Sequence, residues 1–264
     1  MQKRHGDRSL YFNELVATSK EFYIDYITRN CNHYLPKRVL EIGCGEGGNL
    51  LPFAELGAYV EGVDLNEEKI NFGNKVFADK TIIGQLRVVD FLKYPLPECD
   101  DDKFDLVLIH DVIEHIEPNF KREFVLRIKE FLQVDGIIFF AFPAWQMPFG
   151  GHQQICSNFI AKVPYIHLLP MGLYTLLLRI SKQSNECIDE LLSVRRSKMP
   201  IEKFEDLYKS CELKCMCRHL WFINPHYKQK FHLTPRLLNK MVGNIPFIRN
   251  FFTTSCWYLL TFPK

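Results

Sequence analysis

At Val39 to Gly48 the chain reads V-L-E-I-G-C-G-E-G-G. An apolar run of strand type breaks into glycines at every second position, Gly43, Gly45 and Gly47, with Glu41 just ahead of the first. Glycine removes the Cβ where a strand must turn sharply into a helix, so backbone N–H groups can come within contact distance of a ligand. Nucleotide-binding folds of several kinds share this turn, and only its surroundings distinguish them.

Those surroundings are rhythmic. Leu10 to Asn30 carries Leu15, Phe22, Ile24 and Ile27 at helical spacing. Arg38 to Ile42 reads as a buried strand, Gly45 to Leu56 as a helix, Ala58 to Val63 as a second strand ending at Asp64, and Asn66 to Ala78 as a helix. Gln85 to Phe91 follows as a third strand, Phe104 to Ile109 as a fourth, Asn119 to Leu132 as a helix and Gly136 to Phe142 as a fifth strand. Strands alternating with helices predict an α/β, doubly wound parallel sheet that binds ligands beyond its carboxyl strand ends.

After Pro143 the rhythm stops for about fifty residues and resumes with a helix from Ile201 to Ser210. A strand from Leu213 to Ile223, a turn at Asn224-Pro225, a helix after Pro235 and an apolar run from Phe251 to Phe262 complete the chain. The expected organisation is a single domain over 1–264. It comprises an N-terminal helical cap (1–33), a ligand-binding core (36–143), a helical and aromatic lid insertion (144–198) and the closing part of the sheet (199–264).

Composition narrows the class. With 33 Lys and Arg against 31 Asp and Glu, and the bases scattered except at Arg195-Arg196-Ser197-Lys198, no nucleic-acid partner is advertised. Nine cysteines form no Cys-x-x-Cys pair, and Cys211, Cys215 and Cys217 lack zinc spacing, which points to reduced thiols in a cytoplasmic protein. No stretch reaches the roughly 20 apolar residues of a membrane span, and the N-terminus lacks the apolar core of a secretion signal. Val163 to Leu178 comes nearest; it is uncharged but interrupted by Pro164 and Pro170. It reads as a buried lid helix, with interfacial contact through 163–178 as the other reading.

Context sharpens the glycine turn. Asp64 lies about 20 residues on, where an acid can take both hydroxyls of a ribose. Asp90-Phe91 places an acid beside a large ring, which suits an adenine. Here the chain resembles the class I S-adenosylmethionine-dependent methyltransferases. The resemblance rests on E-I-G-C-G-E-G (Glu41 to Gly47), V-D-L (Val63 to Leu65), V-D-F (Val89 to Phe91) and F-D-L-V-L-I-H-D-V-I-E-H-I (Phe104 to Ile116), in family order over roughly Pro36 to Pro143.

The resemblance implies a Rossmann-like seven-stranded sheet and S-adenosyl-L-methionine as cofactor, leaving as S-adenosyl-L-homocysteine. It also implies a cofactor site formed by Glu41, Gly43, Cys44, Gly45, Gly47, Asp64, Leu65, Asp90, Phe91, His110 and Asp111. The Gly43 to Gly47 loop would pack on the methionine part, Asp64 would hold the ribose hydroxyls, Asp90 the adenine amine, and His110 would line the cofactor. Gly43, Gly45 and Gly48 also fit G-x-G-x-x-G, so a NAD site is the competing reading, one that leaves the motifs of strands three and four unexplained.

Two stretches bear on catalysis. In D-V-I-E-H-I-E-P, Asp111 to Pro118, a helix would set Asp111, Glu114 and His115 at i, i+3 and i+4 on one face. This resembles the E-x-x-E-H ligands of the family that methylates the terminal 2′-hydroxyl of small RNAs, with His152 as a further ligand; a similar E-H pair occurs in ubiquinone-pathway O-methyltransferases. The same residues form a capping box with no metal, and many metal-free members of the superfamily carry E-H here. The reading adopted is metal-free.

In P-A-W-Q-M-P-F-G-G-H-Q-Q, Pro143 to Gln154, two glycines suggest a hinge, aromatics a wall, and His152, Gln153 and Gln154 polar groups facing a substrate. His152 is the expected general base, with His110 and His115 as further catalytic candidates. This stretch and the C-terminal region look like a group of bacterial methyltransferases found with cell-surface polysaccharide genes, which implies a sugar or other small hydroxylated acceptor. The expected function is therefore O-methylation of such an acceptor. The alternatives are a metal-assisted RNA 2′-O-methyltransferase using Asp111, Glu114, His115 and His152, and a non-catalytic module that binds S-adenosylmethionine.

Overall fold

The computed structural model describes residues 7–31 and 35–263; the rest of the expected N-terminal cap, 1–6 and 32–33, lies outside the described residues. The chain enters through a helix, Arg8–Thr18 (α1), capped by Asp7, whose carboxylate accepts from Leu10 N at 3.0 Å. The same helix widens into a five-residue π segment, Ser19–Tyr23, before resuming at Ile24–Asn30 (α2). The expected single helix is thus one rod with a local expansion in it.

Five parallel strands follow: Arg38–Ile42 (β1), Tyr59–Asp64 (β2), Gly84–Val88 (β3), Phe104–His110 (β4) and Leu132–Phe142 (β5). Between them run Leu51–Glu55 (α3), Glu67–Asp79 (α4) and Lys121–Phe131 (α5). Lys214–Ile223 (β6) and Ser255–Thr261 (β8) close the sheet antiparallel, giving the order β3-β2-β1-β4-β5-β8-β6-β7. All seven expected long strands are present. The eighth, Arg236–Leu237 (β7), is a two-residue edge pairing with β6. The helix expected right after Pro235 is displaced by it and begins only at Lys240.

Period-two alternation builds a core on each face of the sheet. Val107, Ile109, Phe140 and Tyr258 point to the face covered by Phe124, Ile128 and Phe204. Leu106, Leu108, Phe139 and Trp257 point to the face covered by Tyr23, Tyr26, Phe53 and Ile70. Both faces are covered, which is why β4 reads F-D-L-V-L-I-H as a near-continuous apolar run rather than a half-polar one. The strand order reverses between β1 and β4, so the crevice beyond Ile42 and His110 is where a ligand fits.

Residues 144–198 add three single 3₁₀ turns and two helices, Met171–Ile180 (α6) and Asn185–Ser197 (α7). Helices of this length are marginal alone. Here Tyr174, Leu178, Ile188 and Leu191 join Cys156 and Ile166 in a separate small core, each large buried side chain contributing about 1.5–3 kcal/mol. The 163–178 stretch differs from its expected single buried helix. Helix α6 starts only after Pro170, and it buries Tyr174 and Leu178 while Leu173 and Leu176 face outward. Ile201–Ser210 (α8) follows, then His226–Phe231 (α9), Lys240–Gly243 (α10) and Ile248–Phe252 (α11).

Candidate functional site

Beyond β1 the backbone turns through Gly43, Gly45 and Gly47 at φ of +74°, +54° and +78°, a left-handed region that glycine enters without a Cβ penalty. A Cβ on Gly43 would lie 2.3 Å from Val112 Cγ2. These dihedrals keep the chain unwound, so the helix expected from Gly45 shrinks to α3 at Leu51. The loop is fastened to β2. Gly43 N and Cys44 N donate to Val63 O at 2.7 and 3.1 Å, and Gly45 N donates to Asp64 Oδ2 at 2.8 Å. Asp64 Oδ1 accepts from Asn66 N, so the expected ribose acid also braces the loop.

Two cavities meet at this loop, sharing Gly43, Asp64 and Val112. The first, ≈ 220 Å³, is an apolar slot between Ile42, Val63, Leu65, Val89 and Ile116, with Asp90 on its wall. Phe91 lines it from the core, packed on Phe124 and Phe131 at ring distances of 5.3 and 5.1 Å. Strand β3 stops at Val88, short of the expected Phe91, because Asp90 caps a 3₁₀ turn by accepting from Leu92 N.

The second cavity, ≈ 370 Å³, is polar, lined by Tyr11, Glu41, Glu46, Lys69, His110 and Asp111 among others. Glu41 is buried and accepts from Asn49 Nδ2 at 2.7 Å. Burial raises its carboxyl to about 8, so it is protonated at neutral pH. Cys44 is buried on the same wall, with its thiol 3.7 Å from Gly45 O.

The far wall departs from expectation. Asp111 has φ +53° and its N–H donates to Ala141 O at 2.8 Å, so 111–118 forms turns and no helix. Neither the helical metal face nor the capping box exists as drawn. Glu114, His115 and His152 nevertheless converge, their ligand atoms all within 4.8 Å of one another, and Asp111 is outside that trio. The His115 and His152 rings meet edge to face at 4.8 Å. Glu114 is buried, and neither of its carboxylate oxygens has a partner beyond its own backbone among the described residues. Burial, with the Asp111 charge second, holds it well above the carboxylate range. Nearby Lys121 is buried too, and desolvation brings its amine down to about 7.

His152 also adopts a left-handed backbone, φ +57°. Burial, aided by His115, lowers it to about 4, so it is neutral with a free lone pair at pH 7. The glycines before it are no hinge: a Cβ on Gly151 would lie 2.2 Å from His167 Cβ, and one on Gly150 the same distance from Trp145 O. They are close-packing residues. Gln153 donates to Pro148 O at 2.8 Å and braces the loop instead of facing a ligand. Gln154 does reach open space, a third cavity of ≈ 490 Å³ lined by Met147, Phe149, Tyr227, Phe231 and Lys162.

Several lining residues escape a motif search. Tyr11 and Leu15 come from α1, about thirty residues ahead of the glycine turn, and roof the polar cavity. The helical periodicity of that segment was legible, but nothing in it says which face meets the site. Asn49 and Tyr227 are equally silent. Tyr227 lines the third cavity, and burial with the Asp111 charge pushes its hydroxyl up to about 12.

Residues 39–136 match the family model described as methyltransferase domain. Over those residues the chain carries a methyltransferase domain. Curated relatives of this domain include the ubiquinone biosynthesis O-methyltransferase of Actinobacillus pleuropneumoniae serotype 7, 28% identical over 121 residues, which are 45% of this chain and 50% of that one. The chain spans about half the length of the curated relatives it matches.

Among solved structures, an S-adenosylmethionine-dependent methyltransferase from Clostridium acetobutylicum shares the fold with a TM-score of 0.60 at 12% identity, covering 94% of this chain and 92% of that one. A plantazolicin methyltransferase solved in complex with SAH covers 99% and 87%, with a TM-score of 0.54 at 14% identity. At such identities the likeness is one of fold. It extends beyond the methyltransferase domain to the insertion and the closing strands, where the family model does not reach.

Proposed function

We propose that the chain transfers the methyl group of S-adenosylmethionine to a hydroxyl of a small acceptor. The observation that carries this reading is the pair of cavities joined at Gly43, Asp64 and Val112. An apolar slot walled by Asp90 suits an adenine. A polar chamber holding Glu41, Glu46 and Lys69 suits an amino-acid end, and Asp64 stands between them for the ribose. The solved structures of similar fold, one an S-adenosylmethionine-dependent methyltransferase and one in complex with SAH, support the same cofactor.

The chemistry asks little of the protein beyond alignment and dryness. The acceptor oxygen attacks the methyl carbon, the carbon–sulfur bond breaks with its electron pair going to sulfur, and the acceptor proton passes to a ring nitrogen of neutral His152. His110 and His115 line the approach, and residues 144–198 act as the lid. The ≈ 490 Å³ cavity reached by Gln154, two residues after His152 in the chain, is lined by Met147, Phe149, Phe231 and Leu233, with Lys162 and Lys230. That lining favours a hydroxyl carried on an aromatic or otherwise apolar body over a bare sugar, in keeping with relatives named for ubiquinone biosynthesis.

One observation favours a second reading in which a divalent cation takes part. Glu114 is a buried carboxyl group that, among the described residues, has no hydrogen-bond partner beyond its own backbone, and it faces two histidines. Glu114, His115 and His152 would hold the ion, which would supply Lewis acidity toward the acceptor hydroxyl, and His152 would then be a ligand and not the base. Calorimetric titration with S-adenosylhomocysteine tests the main reading. Tight binding is expected, weakened by about 1–3 kcal/mol in Asp64→Ala; no binding, or binding of NAD in its place, overturns it. Turnover that survives exhaustive chelation removes the cation.

A further inference from the structure

Charge is unevenly spread along this chain. Residues 136–185 contain Lys162, Arg179 and Lys182 and no acid; residues 213–264 contain eight Lys and Arg and no acid. Along the sequence eleven of the bases thus stand apart from the acids, although in space Arg218 pairs with Glu205, Arg249 with Glu202 and Glu205, and Lys228 with Glu21. The two stretches meet in space. The Tyr165 ring lies 6.4 Å from that of Phe251, and Lys162 lines the same cavity mouth as Phe231 and Leu233.

These segments also expose large apolar side chains. On α6, Tyr174 and Leu178 are fully buried, while Leu173, Leu176 and Ile180, spaced i, i+3 and i+7, are 56%, 52% and 70% exposed. A helix of ten residues on a soluble body needs one apolar stripe; this one has a second, and Arg179 and Lys182 flank it. Phe159 in the same segment is 78% exposed, and Phe247, ahead of α11, is 68% exposed.

We propose that this face seats on an anionic phospholipid bilayer. Leu173, Leu176, Ile180 and Phe159 would enter the boundary between headgroups and acyl chains, and Arg179 and Lys182 would meet the phosphates. Alternative occupants satisfy only half of the surface. A second copy in a two-fold contact would set bases against bases, and RNA would neutralise the lysines while leaving the aliphatic stripe in water. No helix among the described residues is long and apolar enough to cross a membrane, so the attachment lies on the surface. It stands independently of the methyl-transfer reading.

Co-sedimentation of the full chain tests it, using phosphatidylcholine vesicles with and without roughly a third of phosphatidylglycerol. Binding only to the anionic vesicles is expected, lost at about 0.5 M salt. It should fall about tenfold in a Leu173→Ser/Leu176→Ser/Ile180→Ser variant, and similarly in Arg179→Glu/Lys182→Glu, whose purely surface charges leave the fold intact. Failure to sediment with either vesicle overturns the proposal. So does poly(U) binding to which the triple-serine variant is indifferent while vesicle binding is absent, or a dimer without vesicles that the same variant converts to monomer.

Discussion

The pocket at the strand ends and the insertion behind it are assembled by different means. From Val39 to Asp90 the site is largely backbone: three left-handed glycines, N–H groups fastened to Val63 O and Asp64, and an aspartate capping the turn after β3. In residues 144–198 the same precision comes from side chains, with Gln153 bonded to Pro148 O, His167 to Trp145 O, and Tyr174 and Leu191 in a small core of their own. Backbone geometry restricts which residue types are tolerated at fixed spacings and so leaves a pattern. Side-chain packing accepts many solutions and leaves none.

The largest effect that would sharpen this contrast is kinetic. His152→Ala should lower kcat by roughly 10² to 10⁴ while affinity for S-adenosylhomocysteine stays at the wild-type level. An unchanged kcat would take His152 out of proton transfer, and a parallel loss of affinity would mean that the two halves are one unit.

Next in size is a steric change confined to the insertion. Gly151→Ala places a methyl 2.2 Å from His167 Cβ, and overpacking of this kind costs about 1–3 kcal/mol. Urea denaturation should show that loss with cofactor affinity preserved; undiminished stability would mean that the His167 segment yields freely.

The smallest effect is in pH, and it has opposite signs in the two regions. His152 and His167 are lowered by burial to about 4, so the unfolded chain binds protons first and stability falls as pH drops from about 6.5 toward 4. Glu41 is raised to about 8, so its contribution is full below about 4.5 and is lost as pH climbs toward 8. Melting curves across this range should flatten on the acid side in His167→Gln and on the alkaline side in Glu41→Gln. If both variants flatten the same limb, the assignment of these protons to separate regions is wrong.

The same contrast explains what the sequence revealed. Strand β1 and helix α8 were readable to the residue, because a fully buried parallel strand and an amphipathic helix each impose a period. The glycine turn was readable because it answers a backbone requirement; Asp64 and Asp90 stood out as acids suited to a ligand, and the structure has each also accepting from backbone N–H groups. Asp111 to Pro118 was misread as a helix because its i, i+3, i+4 pattern is helical on paper, while the left-handed Asp111 turns the chain off the end of β4. Gly150 and Gly151 looked like a hinge because sequence cannot separate a flexible glycine from one that another side chain presses against. Tyr11 and Tyr227 reach the site only through tertiary packing, which no local spacing records.

The π segment at Ser19–Tyr23 has a geometric consequence for the roof over the polar chamber. A π turn accommodates one extra residue without breaking the rod. Here it sits between α1, whose Tyr11 and Leu15 line the chamber, and α2, whose Tyr26 is held against Phe139 and Trp257. Deleting a single residue there would restore regular helix and still leave both ends able to pack. It would also turn α1 by about 100° about its axis, carrying Tyr11 away from the glycine loop. The bulge therefore acts as a phase setting, one inserted residue that decides which stripe of the first helix looks down into the chamber.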